Sequence, residues 1–200
     1  MAGSLIDSNV WVAATFSTHE FHATSLASLE AATPANPAVF CRATQQSYLR
    51  LVTSPRMLAR YGAEGMTNRH ALAALAALER LPSVRVREEP RGLSALWHRL
   101  ASRETASPKV WMDAYLAAFA IAADLELVTL DRDFQVYSPE GLRTRFLAPP
   151  QPRAFGDAAR RGQTQFSSIG CIACHIPELP SSRGPVRAYT DLLIHDMGDE

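Results

Sequence analysis

Four aspartates, Asp7, Asp113, Asp131 and Asp133, have the residue type and the settings to do chemistry together. Asp7 follows the apolar pair Leu5-Ile6, Asp131 follows Leu127-Val128-Thr129-Leu130, and Asp133 stands two residues further on. Asp113 opens Asp-Ala-Tyr-Leu-Ala-Ala-Phe-Ala, a segment otherwise suited to burial. Burying an unpaired carboxylate costs several kcal/mol, so carboxylates converging at strand ends are expected to hold a hard cation, Mg2+ or Mn2+. Taken singly, each acid has a plainer reading. An aspartate after a strand commonly caps a helix or turn, and Asp131-Arg132-Asp133 alone reads as a solvated turn. The four in order favour the functional reading.

A second constellation lies near the carboxyl end, where Cys171-Ile172-Ala173-Cys174-His175 has the spacing of c-type haem attachment. There, two thiols add to the vinyl groups and the adjacent histidine ligates iron. Met197 or His195 could supply a distal ligand. A Zn2+ site built from Cys171, Cys174, His175 and His195 is the weaker alternative, because the second pair lacks finger spacing. Cys41 is the third cysteine, and an odd set with one close pair makes no disulfide framework.

Positioning the aspartates requires elements that end beside them. Leu5-Ile6 reads as a buried strand delivering a polar residue at its carboxyl end, inside an apolar stretch over 3–12. A helix is expected over 19–32, stopped by Thr33-Pro34-Ala35-Asn36-Pro37, then a strand over 38–41 and a helix over 44–52 that ends before Thr53-Ser54-Pro55. Thr67 should cap a long alanine and leucine helix through Arg80, and Val84 to Val86 alternates as a strand does. Helices over 92–103 and 109–125 and a strand over 127–130 complete the pattern. Strands alternating with helices predict an α/β domain with a mainly parallel sheet, whose sites lie at the carboxyl ends of strands.

The 200 residues carry 20 basic and 20 acidic groups, so no bulk positive field draws the chain to nucleic acid or a membrane. Any RNA contact must be local. Lys109 is the one lysine, and Arg50, Arg132 and Lys109 are the candidate phosphate contacts, each otherwise an ordinary solvated cation. No apolar run is long enough to span a bilayer, and the amino terminus lacks a leader pattern, so the expected location is cytoplasmic.

The blocks Leu5-Ile6-Asp7-Ser8-Asn9-Val10, Thr44 to Pro55, Met112-Asp113-Ala114-Tyr115-Leu116 and Val128 to Phe134 resemble the successive motifs of PIN domains, most nearly the VapC-type ribonuclease toxins. This resemblance covers about residues 3–147. It implies a three-layer α/β/α sandwich and a Mg2+-dependent endoribonuclease of a toxin-antitoxin pair, with an RNA substrate, a small antitoxin partner and a homodimeric state. By the same match Asp7, Asp113 and Asp131 are the catalytic acids and metal ligands, with Asp133 assisting the metal. The second acid of many PIN domains is replaced by Ser47, so Ser47, Gln46 or Asp133 could complete the shell, and Thr129 and Asn9 could hold the carboxylates by hydrogen bonds. A catalytically weak PIN fold that merely grips RNA or antitoxin is the competing class.

Residues 148–152, Ala-Pro-Pro-Gln-Pro, read as a stiff linker between a domain over 1–147 and a segment over 153–200. The Cys-x-x-Cys-His block and its flanks resemble part of a cytochrome c domain of the di-haem thiol-oxidoreductase type. That implies a small, mostly irregular or helical fragment with covalent haem c on Cys171, Cys174 and His175 and Met197 as a distal candidate. Haem attachment happens outside the cytoplasm, so the expectation is a truncated fusion whose haem site stands empty. The alternative is an electron-transfer haem protein carrying the first domain as a passenger.

Overall fold

The computed structural model describes residues 3–104 and 106–147, and beyond them 161–162, 164–165 and 168–169. The chain divides into two units, Met1–Pro150 and Gln151–Glu200. The expected linker over 148–152, most of the segment over 153–200, and Cys171, Cys174, His175, His195 and Met197 all lie outside the described residues.

Among the described residues of the first unit five strands form one parallel sheet: β1 (Ser4–Ile6), β2 (Ala38–Phe40), β3 (Val84–Val86), β4 (Glu126–Thr129) and β5 (Arg143–Phe146). Their spatial order is β3-β2-β1-β4-β5. Among the described residues seven α-helices connect them: α1 (Ser8–Thr15), α2 (His22–Glu30), α3 (Arg42–Val52), α4 (Pro55–Tyr61), α5 (Asn68–Glu79), α6 (Leu93–Ala101) and α7 (Val110–Ala122). A 3₁₀ segment, Arg132–Glu140, joins β4 to β5.

Alternation along the central strands buries both faces of the sheet. Leu5, Val39 and Leu127 face a core completed by α6, α7 and the 3₁₀ segment, with Phe119, Leu125, Phe134 and Tyr137. Ile6, Phe40 and Val128 face a second core with Trp11, Tyr48, Val52 and Leu75 from α1, α3 and α5. Trp11 stacks on Phe40 with ring centroids 4.0 Å apart. The result is the parallel α/β fold anticipated from the alternating pattern, layered as the α/β/α sandwich that the resemblance implies. At Gly3, which has φ +113°, an added Cβ would meet the Pro37 carbonyl at 2.7 Å, so the entry to β1 requires glycine.

Strand order reverses between β1 and β4. From β1 the chain moves to β2 and β3 on one side, then returns to lay β4 and β5 on the other. The crevice outside the carboxyl ends of β1 and β4 is the topological switch point, where parallel α/β folds place their sites.

Several elements differ from expectation. The apolar stretch over 3–12 is a three-residue strand followed by α1, because Asp7 takes an extended conformation that ends the strand and starts the helix. Val10, Trp11 and Val12 have the β-rich composition of a strand, yet their burial against the second core makes them helical. The sequence pattern gives no sign of α4 after Thr53-Ser54-Pro55. Pro55 sits in its opening turn, where a missing N–H costs nothing, and Gly62 closes it in the left-handed conformation. The 3₁₀ segment and β5 are likewise absent from the sequence pattern.

Candidate active site

Asp7 occupies the junction of β1 and α1 at the switch point, held there by its amide, which donates to the Val128 carbonyl at 2.9 Å. The residue is 6% exposed, and its carboxylate has no cationic partner among the described residues. The Thr129 hydroxyl donates to Asp7 Oδ2 at 2.6 Å and the Ser8 hydroxyl to Oδ1 at 3.2 Å. Burial pushes the Asp7 carboxyl above the ordinary aspartate range, with the Thr129 hydroxyl and the start of α1 pulling the other way.

Thr129 is the hub of a buried network. Besides donating to Asp7, its hydroxyl accepts from Asn9 Nδ2 at 3.1 Å and from the Asp131 amide at 3.0 Å. Asn9 Oδ1 in turn accepts from the Leu130 amide at 3.2 Å. Thr129 thus holds the Asp7 carboxylate directly, whereas the Asn9 side chain bonds Thr129 and the Leu130 amide; together they fasten the ends of β1 and β4 to the first turn of α1. A fully buried threonine without such partners would be costly.

Asp113 stands in the first turn of α7, where unsatisfied amides and the helix dipole favour negative charge. Its carboxyl is pushed up to about 6. Burial is the main cause; Lys109 opposes it, and Asp131, Asp7 and Asp133 add to it by repulsion. The four aspartates thus share one electrostatic neighbourhood.

Lys109 organises three of them. Its Nζ lies 2.7 Å from Asp131 Oδ2, 2.6 Å from Asp133 Oδ2 and 3.9 Å from Asp113 Oδ2. These contacts raise the lysine pKa. Asp131 also accepts from the Asp133 amide at 2.9 Å, capping the 3₁₀ segment. The cap and the cluster are the same residue, so the two readings of Asp131 coexist. Lys109 hydrogen-bonds Asp131 and Asp133, so its charge is shared with these carboxylates before any phosphate arrives. Arg132 lies over the Phe146 ring, 6.0 Å from the centroid.

Among the described residues no three His, Cys, Asp or Glu side chains converge closely enough to hold a metal ion. The donor chemistry nevertheless fits a hard cation. All four groups offer carboxylate oxygens, Asp7 is a buried acid without a counter-charge among the described residues, and the Lys109 ammonium already puts positive charge among the other three. Ser47 is buried on α3, whereas Gln46 is exposed and opens onto a different hollow, shared with Arg42 and Arg50.

A parallel α/β/α sandwich with aspartates at its switch point defines a class of fold and site, and the family follows from residues 4–138, which match the PIN domain model. The chain belongs to the PIN domain family. It is 47% identical over 145 residues to Ribonuclease VapC41 of Mycobacterium tuberculosis, in strains CDC 1551 / Oshkosh and ATCC 25618 / H37Rv alike. That match covers 72% of this chain and 98% of the relative. Two solved structures share the fold. A chain of VapBC2 from Rickettsia felis, bound to a DNA fragment from their promoter, has a TM-score of 0.51 at 12% identity, covering 72% of this chain and 98% of its own. A chain of VapBC-1 from nontypeable Haemophilus influenzae has a TM-score of 0.51 at 13% identity, covering 72% and 97%. No helix among the described residues is long and apolar enough to cross a membrane.

Proposed function

We propose that the first unit is an endoribonuclease of the VapC type, hydrolysing RNA phosphodiester bonds with Mg2+ or Mn2+ as the toxin of a toxin-antitoxin pair. The observation that carries this reading is Asp7, a buried carboxylate without a counter-charge among the described residues, set at the β1–β4 switch point in the electrostatic neighbourhood of Asp113. The name ribonuclease of the 47% identical relative supports the same chemistry.

Asp7 and Asp113 would be the principal metal ligands, Asp131 the next, and the more exposed Asp133 an outlying one. A bound divalent cation supplies Lewis acidity to a phosphoryl oxygen and a water of lowered pKa. The chain's own residues do the positioning. Thr129 fixes Asp7 Oδ2, Asn9 braces Thr129, and α7 carries Asp113 in its first turn, where the helix dipole favours negative charge. Lys109 offsets the negative charge of Asp131 and Asp133, lowering the repulsion an RNA backbone would meet.

The expected partner is a small antitoxin, and the expected assembly contains a homodimer. An open groove of about 590 Å3 lined by Trp11, Leu26, Leu29, Tyr48, Leu78 and Leu81 offers apolar area for an antitoxin segment. This reading assigns no role to Cys171, Cys174 or His175.

The test is cleavage of single-stranded RNA by the purified chain. Products should form with Mg2+, stop with EDTA and fall at least about 100-fold in Asp7→Asn, with the circular dichroism spectrum unchanged. Cleavage that persists in EDTA and in Asp7→Asn would overturn the metal-dependent reading. Tight RNA binding without any cleavage would favour the binding-module class.

A further inference from the structure

A second hollow, of about 510 Å3, lies between α3, α6 and the start of α7. Its volume falls in the range of small-ligand sites. From this hollow, we infer that it is a subsite for one unpaired nucleotide of the RNA strand, an inference that rests on the endoribonuclease reading. The base would stack on Trp111 and its flanking phosphates would meet Arg42 and Arg50.

Arg42, Gln46 and Arg50 recur every four residues, so α3 presents them on one exposed face. Neither arginine has a carboxylate partner among the described residues, whereas Arg99, Arg143 and Arg145 each have one. Two guanidiniums left unpaired beside aromatic rings suit phosphate and base-plane recognition together.

The aromatic side of the hollow is held in place. Trp97 Nε1 donates to the Trp111 carbonyl at 2.9 Å, and the Trp97 ring meets Tyr115 edge-on at 5.8 Å and 86°. Tyr115 in turn donates its hydroxyl to Glu89 at 2.9 Å. Trp111 itself remains 58% exposed, an indole left open above a fixed frame. A pre-set aromatic surface with adjacent cations is how proteins bind single-stranded nucleic acid, since every base offers a π face. Glu89 adds an acceptor for an exocyclic amine.

Pro108, Trp111, Met112 and Tyr115 form one stripe along the start of α7, and Lys109 and Asp113 belong to another stripe of the same turns. Trp111 and Asp113 are two residues apart and so stand on different faces of α7, and a strand engaging both would pass around the start of the helix. Stacking on Trp111 takes a base free of its own neighbours, which makes the ligand single-stranded.

The experiment measures binding, separately from cleavage. Unstructured RNA oligonucleotides are titrated into the full chain in EDTA, reading fluorescence anisotropy of the labelled RNA across a salt series. Trp111→Ala should weaken binding between about 5- and 100-fold, and Trp111→Phe should restore most of it. The double variant Arg42→Ala, Arg50→Ala should reduce the slope of log affinity against log salt by about 1.4. Both changes lie on exposed side chains, and thermal melts confirm that folding is retained. Unchanged affinity and slope, or no RNA binding by the wild-type chain, would overturn the subsite. So would loss of self-association in sedimentation with RNA affinity unaltered, which would assign this face to a second copy of the chain. If the wild-type chain binds RNA through these residues yet never cleaves with Mg2+, the subsite stands and the endoribonuclease reading fails.

Discussion

Replacing Asp113 by asparagine should stabilise the metal-free protein while abolishing RNA cleavage. In the folded chain this carboxyl titrates at about 6, against 3.8 for an unperturbed aspartate. Between those values the folded state binds more protons than the unfolded state, so stability falls as pH rises through the window and the loss is complete above about pH 6. At 1.36 kcal/mol per pK unit the shift sets a ceiling of about 3 kcal/mol. The side chain is partly open to solvent, and screening reduces the expected cost to ~1–2 kcal/mol. The substituted amide would carry no charge and would recover that amount near neutral pH. For a domain of this size the gain corresponds to a rise in Tm of ~3–8 °C, shrinking to nothing near pH 4. Melts of both proteins in EDTA at the two pH values read it directly. With Mg2+ added, the wild-type chain should gain stability and Asp113→Asn should not. A variant less stable than wild type near neutral pH in EDTA would refute the reasoning, as would an advantage equal at both pH values.

Thr129→Val keeps the shape but removes the bond to Asp7 and the acceptor used by Asn9 and the Asp131 amide; urea denaturation should show a loss of ~1–3 kcal/mol and the cleavage rate should fall at least about tenfold. Lys109→Met removes the positive charge between Asp113, Asp131 and Asp133, so calorimetric titration with Mn2+ should show tighter binding than in the wild-type chain, by about tenfold. Truncation after Pro150 should leave RNA cleavage within about twofold of the full chain, since residues 4–138 carry the family match and every candidate acid.

The parallel sheet was legible because its signals are local and agree: short apolar strands, alternating helices, and Thr67, which accepts from the His70 amide as an amino-terminal cap should. Val10, Trp11 and Val12 were harder, since composition favoured a strand and only packing against Phe40 and Tyr48 decides for a helix. Asp7 and Asp113 could be picked out as acids set beside apolar runs. The role of Lys109 could not be, because Lys109 and Asp131 are 22 residues apart and meet only when α7 packs near the end of β4. Nor could the open Trp111 indole be told from a core residue, for α7 is apolar on nearly every face.

The central claim is that Asp7 and Asp113 together hold a catalytic divalent cation. An anomalous difference map from crystals of the chain soaked in Mn2+ tests it most directly. The account predicts one strong peak within about 2.0–2.2 Å of carboxylate oxygens from both residues, lost in Asp7→Asn. A map with no peak between them, or with manganese bound only at surface sites elsewhere, would contradict it.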